Sequence, residues 1–425
     1  RSIHLLYVPT MKHRISLPIT LLAAAALAAP DAGAQARPGF VGPSEAEVAR
    51  GAAQFQVVGR GPITHTRSTD LWAFRGANGR DYVYTGTWGG CEGCVGNRLF
   101  VWDVSDPARP VLTDSVLVDA QSINDVAVNE AGTLAAFGRR GATSRRNGVV
   151  LLDLADPAHP RQVADYWETV TGGVQSVFFS GDHLYMVDAG ASSLVVMDVR
   201  NPADPRPVSR WSLETGMASR YLSDVYVHDG LAYLSYWDDG LVILDVGRGI
   251  KDGSPERPRL LSQVRYRTEW RNQRWGHTHY AFPYVNRAGR RYVFVGDAIL
   301  PPSADFNRRM EIGGLLHVFD ATNPEMPVEV ATYEVEGRGI SKFWVQNDTL
   351  YLGSHNGGLR ALDVSGELRG RIQRRELAVL ATGDENAFIP NLTFTWAAMP
   401  HNGLVFATDF NSGLWVTRLV AAPPR

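Results

Sequence analysis

One segment recurs along this chain and limits its fold more than any other feature. Leu99-Phe-Val-Trp-Asp-Val-Ser-Asp-Pro-Ala-Arg-Pro110 returns as Val149-Val-Leu-Leu-Asp-Leu-Ala-Asp-Pro-Ala-His-Pro160. Shorter copies follow at Leu194-Val-Val-Met-Asp-Val199, Leu241-Val-Ile-Leu-Asp-Val246, Leu315-Leu-His-Val-Phe-Asp320 and Leu359-Arg-Ala-Leu-Asp-Val364. The recurrent aspartates are Asp103, Asp153, Asp198, Asp245, Asp320 and Asp363, separated by 50, 45, 47, 75 and 43 residues. Apart from one long gap, that is the period of a four-stranded propeller blade. A degenerate seventh copy, Leu414–Leu419, carries Thr417 where the aspartate would fall.

Each copy is preceded by two further β-branched or aromatic runs and followed by a third, with Gly, Asp, Asn and Pro between them. Asp224-Val-Tyr-Val227, Leu231-Ala-Tyr-Leu234 and Arg206-Pro-Val-Ser-Arg-Trp211 are examples. A proline after the third strand marks a turn, because it donates nothing to a ladder. No stretch after residue 36 keeps a helical period, so the fold class is all-β. Six units are complete, at about 70–119, 124–168, 174–214, 223–266, 278–336 and 341–380; the last, about 392–420, is one strand short. One strand is left over at the beginning, Phe55-Gln-Val-Val-Gly59. Adding it to the last unit gives a seven-bladed β-propeller of four-stranded antiparallel blades and removes the exposed edge of an open ring.

The strings Leu-Val-Val-Met-Asp-Val, Leu-Val-Ile-Leu-Asp-Val and Asp-Val-x-Asp-Pro-x-x-Pro resemble the LVIVD repeat of bacterial secreted and cell-surface propellers. The resemblance spans nearly the whole chain after residue 36. It implies an extracytoplasmic propeller and transfers no catalytic residue, since a fold does not imply a function.

Residues 1–36 are expected to hold upstream residues and a cleaved signal peptide. From Met11 the chain reads Lys12-His13-Arg14, an apolar run from Ile15 to Ala29, and Ala34-Gln35-Ala36. This is a basic start, an apolar stretch short for a membrane span, and an A-x-A cleavage signal. Residues 37–54 are then a lead-in, 55–420 the propeller and 421–425 a tail. The expected location is extracytoplasmic: secreted, periplasmic or at the cell surface, with no stable membrane insertion after cleavage. The whole chain carries a formal charge of -2. That mild acidity argues against non-specific nucleic-acid binding. A closed ring of this kind is expected to be a monomer.

Candidate functional residues sort by face. Loops from an outer strand to the next inner strand share a face with the loops between second and third strands. The elaborated ones fall mostly there: 87–97, 138–147, 268–278, 298–313 and 382–391; only 247–258 is extended on the other face. Elaborate loops on a regular scaffold are where function concentrates. At the start of the inner strands, Asp70, Asp125, Asp224, His279 and Lys342 are placed at one repeat position, ringing the channel mouth. His277 lies two residues before His279, so the two are expected to point the same way, as metal ligands would. The functional reading is a ligand site of Asp70, Asp125, Asp224, His277, His279 and Lys342; it identifies no cofactor but leaves room for a channel-bound divalent metal. The competing reading is structural, with polar strand starts satisfying loop amides and buried water. The third-strand aspartates precede a turn and are read as structural acceptors for its amides.

Arg139, Arg140, Arg145 and Arg146 share one loop, and Arg271, Arg274, Arg308 and Arg309 fall in two others. They make either an anion cradle or a rim paired with Asp305, Glu311, Asp384 and Glu385. Trp88, Trp237, Trp270 and Trp275 supply stacking planes or loop plugs. Cys91 and Cys94 are the only cysteines. Val95 excludes haem attachment, and no second pair completes a thiolate zinc site. A local disulfide is expected in an exported protein, with a redox or metal pair as the alternative. The chain has no nucleophile elbow, P-loop or dinucleotide fingerprint. Two functions therefore stand at this level. The first is a non-catalytic scaffold binding protein, peptide or glycan through the loop-rich face. The second is a metal-assisted hydrolase or lactonase at the channel mouth.

Overall fold

A computed structural model describes residues 52–90, 95–214, 221–268, 276–302 and 304–422. Among them are seven antiparallel sheets, each starting from an inner strand of the predicted kind. The inner strands are Arg67–Arg75, Val126–Val128, Val174–Ser180, Leu222–His228, Thr278–Val285, Phe343–Gln346 and Thr395–His401. In the first six blades the chain then steps outward strand by strand. The protein is a seven-bladed β-propeller. The fifth blade gains a fifth strand, the two-residue Gly370–Arg371, parallel to Val328–Glu334.

The ring closes as the strand count requires. Ala53–Pro62 runs antiparallel to Gly413–Ala421 and forms the outer strand of the seventh blade, with Phe55 opposite Leu419 and Gly61 opposite Leu414. The core lies between neighbouring blades. Leu71, Val83 and Trp102 of the first blade pack with Ala397, Phe406 and Val416 of the seventh. Each sheet buries both faces against its neighbours, which is why its strands read as near-continuous apolar runs.

The third-strand aspartates do the work assigned to them. Asp103, Asp153, Asp198, Asp320 and Asp363 each accept the amide two residues on, at 2.9–3.0 Å. Asp245 accepts five amides between Gly247 and Gly253, which orders the one long loop on the turn face. The expected signal segment, the Cys91/Cys94 pair, Trp270, Arg271, Arg274 and Trp275 lie outside the described residues.

Candidate functional site

Strand periodicity stacks the channel in layers. Side chains two apart on an inner strand share a direction. The four charged residues Asp70, Asp125, Asp224 and Lys342 come from blades one, two, four and six and meet on the axis. Lys342 Nζ lies 2.6 Å from Asp70 Oδ2, 3.1 Å from Asp125 Oδ1 and 2.8 Å from Asp224 Oδ2. All four are buried. Two backbone amides add to the hold, Leu71 N on Asp70 at 2.8 Å and Val177 N on Asp125 at 3.0 Å.

One ammonium cannot neutralise three carboxylates, and their proton affinities diverge accordingly. Burial, reinforced by Asp125 and opposed by Lys342, raises the Asp70 pKa well above the carboxylate range. Burial also works against ionised Asp125, but Lys342, Asp70 and the Val177 amide outweigh it and hold that carboxyl below its usual value. Asp224 is pushed up to about 7 by burial, with Lys342 opposing and Asp125 adding. Lys342, despite burial, is held in its charged form by the three carboxylates. A cavity of about 10 Å³ beside the cluster is the size of a single water site.

His279 does not join this layer. The inner strand of the fifth blade carries a β-bulge between Thr278 and Tyr280, so the register position opposite Gly296 belongs to Tyr280. That is the position Lys342 holds opposite Gly353 and Asp224 holds opposite Ser235. Tyr280 accordingly sits on the axis, with Lys342 Nζ 5.3 Å from its ring centroid. The same irregularity recurs between Leu222 and Asp224 and between Thr395 and Ala397, so Tyr280 is the counterpart of Asp224, and His279 that of Ser223. Ala397, opposite Thr408, takes the seventh position.

His279 instead lies in an aromatic group on the loop-rich side, with ring centroids 6.1 Å from His355 and 6.5 Å from Trp396. Burial lowers the His279 pKa to about 3, with His355 and Lys342 adding to the effect, and lowers His355 to about 4. Both are neutral imidazoles whose Nδ1 lacks a hydrogen-bond partner. His277 stacks on Trp237 at 4.8 Å and faces Asp238 at 3.2 Å. Among the described residues no group of three His, Cys, Asp or Glu side chains is arranged to hold a metal ion. The His277/His279 pair therefore falls short of the three protein ligands that a catalytic zinc site uses.

The loop arginines are spread rather than gathered. Arg139 pairs with Asp165 at 3.0 Å, Arg140 bonds Gln175, Arg146 covers Trp167 at 5.3 Å and Arg308 pairs with Asp305 at 3.2 Å. Arg67 gave no sequence signal, since it stands at the start of an inner strand and outside the arginine-bearing loops. It is fully buried, donates to Phe306 O at 3.1 Å and Asn307 Oδ1 at 2.7 Å, and lies over the rings of Phe410, Phe388 and Trp88. Burial lowers its pKa to about 10. It fastens the 298–313 insertion to the channel face.

A second set of acids ends the second strands. Asp297 accepts Tyr266 Oη at 2.6 Å and Thr268 Oγ1 from the segment entering from blade four, and contacts His317 Nε2 at 3.1 Å. Asp409 accepts Thr382 Oγ1 at 2.6 Å and Phe394 N at 2.7 Å in the same way. These residues anchor the long connections of the loop-rich face. Residues 93–118, 171–211 and 219–249, in blades one, three and four, match the family model of the LVIVD repeat. The chain carries LVIVD repeats. The aspartates of the three matched third strands, Asp103, Asp198 and Asp245, and the inner-strand Asp224 fall within those LVIVD segments. No curated protein matches the chain.

Proposed function

We propose that this LVIVD-repeat propeller is an exported, non-catalytic recognition scaffold that binds a protein, peptide or glycan through its loop-rich face. The observation that carries the reading is the closed ion cluster on the axis. Asp70, Asp125, Asp224 and Lys342 are spent on one another in a buried layer, so the ring of polar strand starts braces the blades. An acid–base pair in hydrolysis must reach the proton it moves, and these carboxylates are directed at Lys342. What remains for recognition is the elaborated rim, anchored by Arg67, Asp297 and Asp409. Export rests on the leader pattern of residues 11–36 and on the resemblance to secreted propellers.

Metal analysis of the purified, dialysed protein tests the reading against metal-assisted hydrolysis. The expected result is less than stoichiometric zinc, calcium and manganese. One stoichiometric ion, lost on His277→Ala or His279→Ala, would overturn the scaffold in favour of the enzyme.

A further inference from the structure

The channel opens at its other end as well, on the face of the tight turns. Two residues past the charged layer, the inner strands present Trp72, Phe178, Tyr226, Phe282 and Trp344. Their rings form a closed circuit with centroids 5.9, 4.4, 4.7, 5.2 and 5.4 Å apart. Trp72, Phe178, Tyr226 and Trp344 line both the small cavity at the ion cluster and a pocket of about 480 Å³ on the turn side. They are thus the partition between the two. Trp72, Phe178 and Trp344 remain only half-buried, so aromatic surface faces the pocket. Its volume lies in the range of small-molecule sites.

The rim determines what such a floor accepts. Its charges are largely answered within the protein. Arg75 lies 3.6 Å from Asp81, while Asp229 pairs with Arg291 at 2.7 Å and with Arg248. His228 and Ser180, on neighbouring inner strands, line the same pocket. Burial, with Arg291 adding, lowers the His228 pKa, leaving an imidazole that both donates and accepts. Glu130 is the one lining carboxylate with no ion pair among the described residues, which disfavours an anionic ligand, and a purely apolar ligand leaves His228 and Ser180 without an exchange for water. A sugar ring suits both parts. Its C–H face is weakly positive and meets the negative π-face of an aromatic ring, while its hydroxyl edge exchanges hydrogen bonds with the rim.

We propose that the turn-side mouth of the channel is a saccharide-binding site that seats one terminal pyranose on the Trp72/Phe178/Trp344 floor, with His228 and Ser180 contacting its hydroxyls. The site is independent of the loop-rich face. The test is titration of the full chain with cellobiose, maltose and chitobiose at millimolar concentration, read by tryptophan emission and by calorimetry. At least one disaccharide is expected to bind and to shift the emission of Trp72 and Trp344. Ser180→Phe fills the mouth from a partly exposed position and is expected to weaken binding at least tenfold with an unchanged melting temperature. His228→Ala is expected to weaken it several-fold, whereas Arg146→Ala on the opposite face leaves it unchanged. The proposal is overturned if none of the three disaccharides binds, if Ser180→Phe binds as wild type does, or if N-acetyl-tyrosine amide binds in their place.

Discussion

Lys342 is the side chain on which the axis depends, and the effect of removing it separates two ways of changing the cluster. Lys342→Met leaves three buried carboxylates facing one another without a cation. Stripping one partner from a buried ion network costs about 3–5 kcal/mol, so chemical denaturation should show a loss of that order. Asp224→Asn keeps the shape and removes surplus negative charge, and it should change stability by less than about 1.5 kcal/mol at pH 7. Equal losses for the two variants would show that the cluster is not charge-limited. The same group sets a pH dependence. The folded Asp224 pKa, about 7, lies above the 3.8 of a free aspartate, so the folded state holds the extra proton between those values. Its contribution is present below about pH 4 and is lost as pH rises through about 7. Asp224→Asn should therefore flatten the fall in stability between pH 4 and 7, and an unchanged slope would refute the assignment. The four charged members were legible in the sequence because each stands at the start of an apolar inner strand. Tyr280 was not, because the apolar run after it fits the repeat equally well with His279 in the axial place, and only the pairing of Tyr280 with Gly296 decides between them.

At the scale of strands and loops, the connections entering the fifth and seventh blades are each tied down by a buried acid at the end of a second strand, Asp297 and Asp409. The tightest knot is in the fifth blade, where His317 lies between Asp297 at 3.1 Å and Glu329 at 2.7 Å. Burial opposes its charge, but the two carboxylates prevail and raise its pKa to about 9. A raised histidine stabilises the fold below about pH 6.5, and the contribution disappears as pH rises through about 9. His317→Gln should lower the melting temperature at pH 6 more than at pH 9.5. A loss that is the same at both values would mean that the imidazole is neutral in the fold. The strands themselves were readable from β-branched runs between turn residues, and the Asp-Pro turns from their spacing. The knots were hidden, because Thr268, Asp297 and His317 are separated by 20 to 49 positions and share no spacing that marks them as partners. Only the sheet brings them together. Arg67 was hidden for a related reason, since its partners Phe306 and Asn307 sit in an insertion that no other blade has.

The molecule as a whole is a ring whose ends are held by backbone pairing, a thin apolar strip and Arg60, which pairs with Asp384 and lies 4.0 Å over the Trp415 ring. Most blades are hairpins local in sequence, and a chain of such units can form blade by blade. The seventh is different: its outer strand comes from the other end of the chain, with Ala53 opposite Ala421 and Pro62 opposite Gly413. Phe55 packs with Trp415, Ala398 and Leu359, so the closing strand also joins the sixth blade to the seventh. Closure depended on a count legible in the sequence, six full units with three strands at one end and one at the other. The extent of the strand was not, since Ala53, Gln54, Arg60 and Gly61 carry no β signal of their own and are recruited by the edge they meet. Deleting residues 37–63 removes that strand and exposes the Gly413–Ala421 edge, with Trp415 no longer covered. An unpaired, apolar edge is a template for aggregation. The truncated protein should therefore be insoluble or melt well below the full chain, and what remains soluble should be oligomeric by light scattering. A milder variant separates edge pairing from simple loss of mass. Val57→Pro, beside the register shift between Val57 and Gly59, removes one donor from the closing strand while keeping its length. It should lower the melting temperature by several degrees, at about 4 °C or less per kcal/mol in a domain of this size. If the truncation melts as the full chain does, the ring is held by its blade interfaces alone and the closing strand is dispensable.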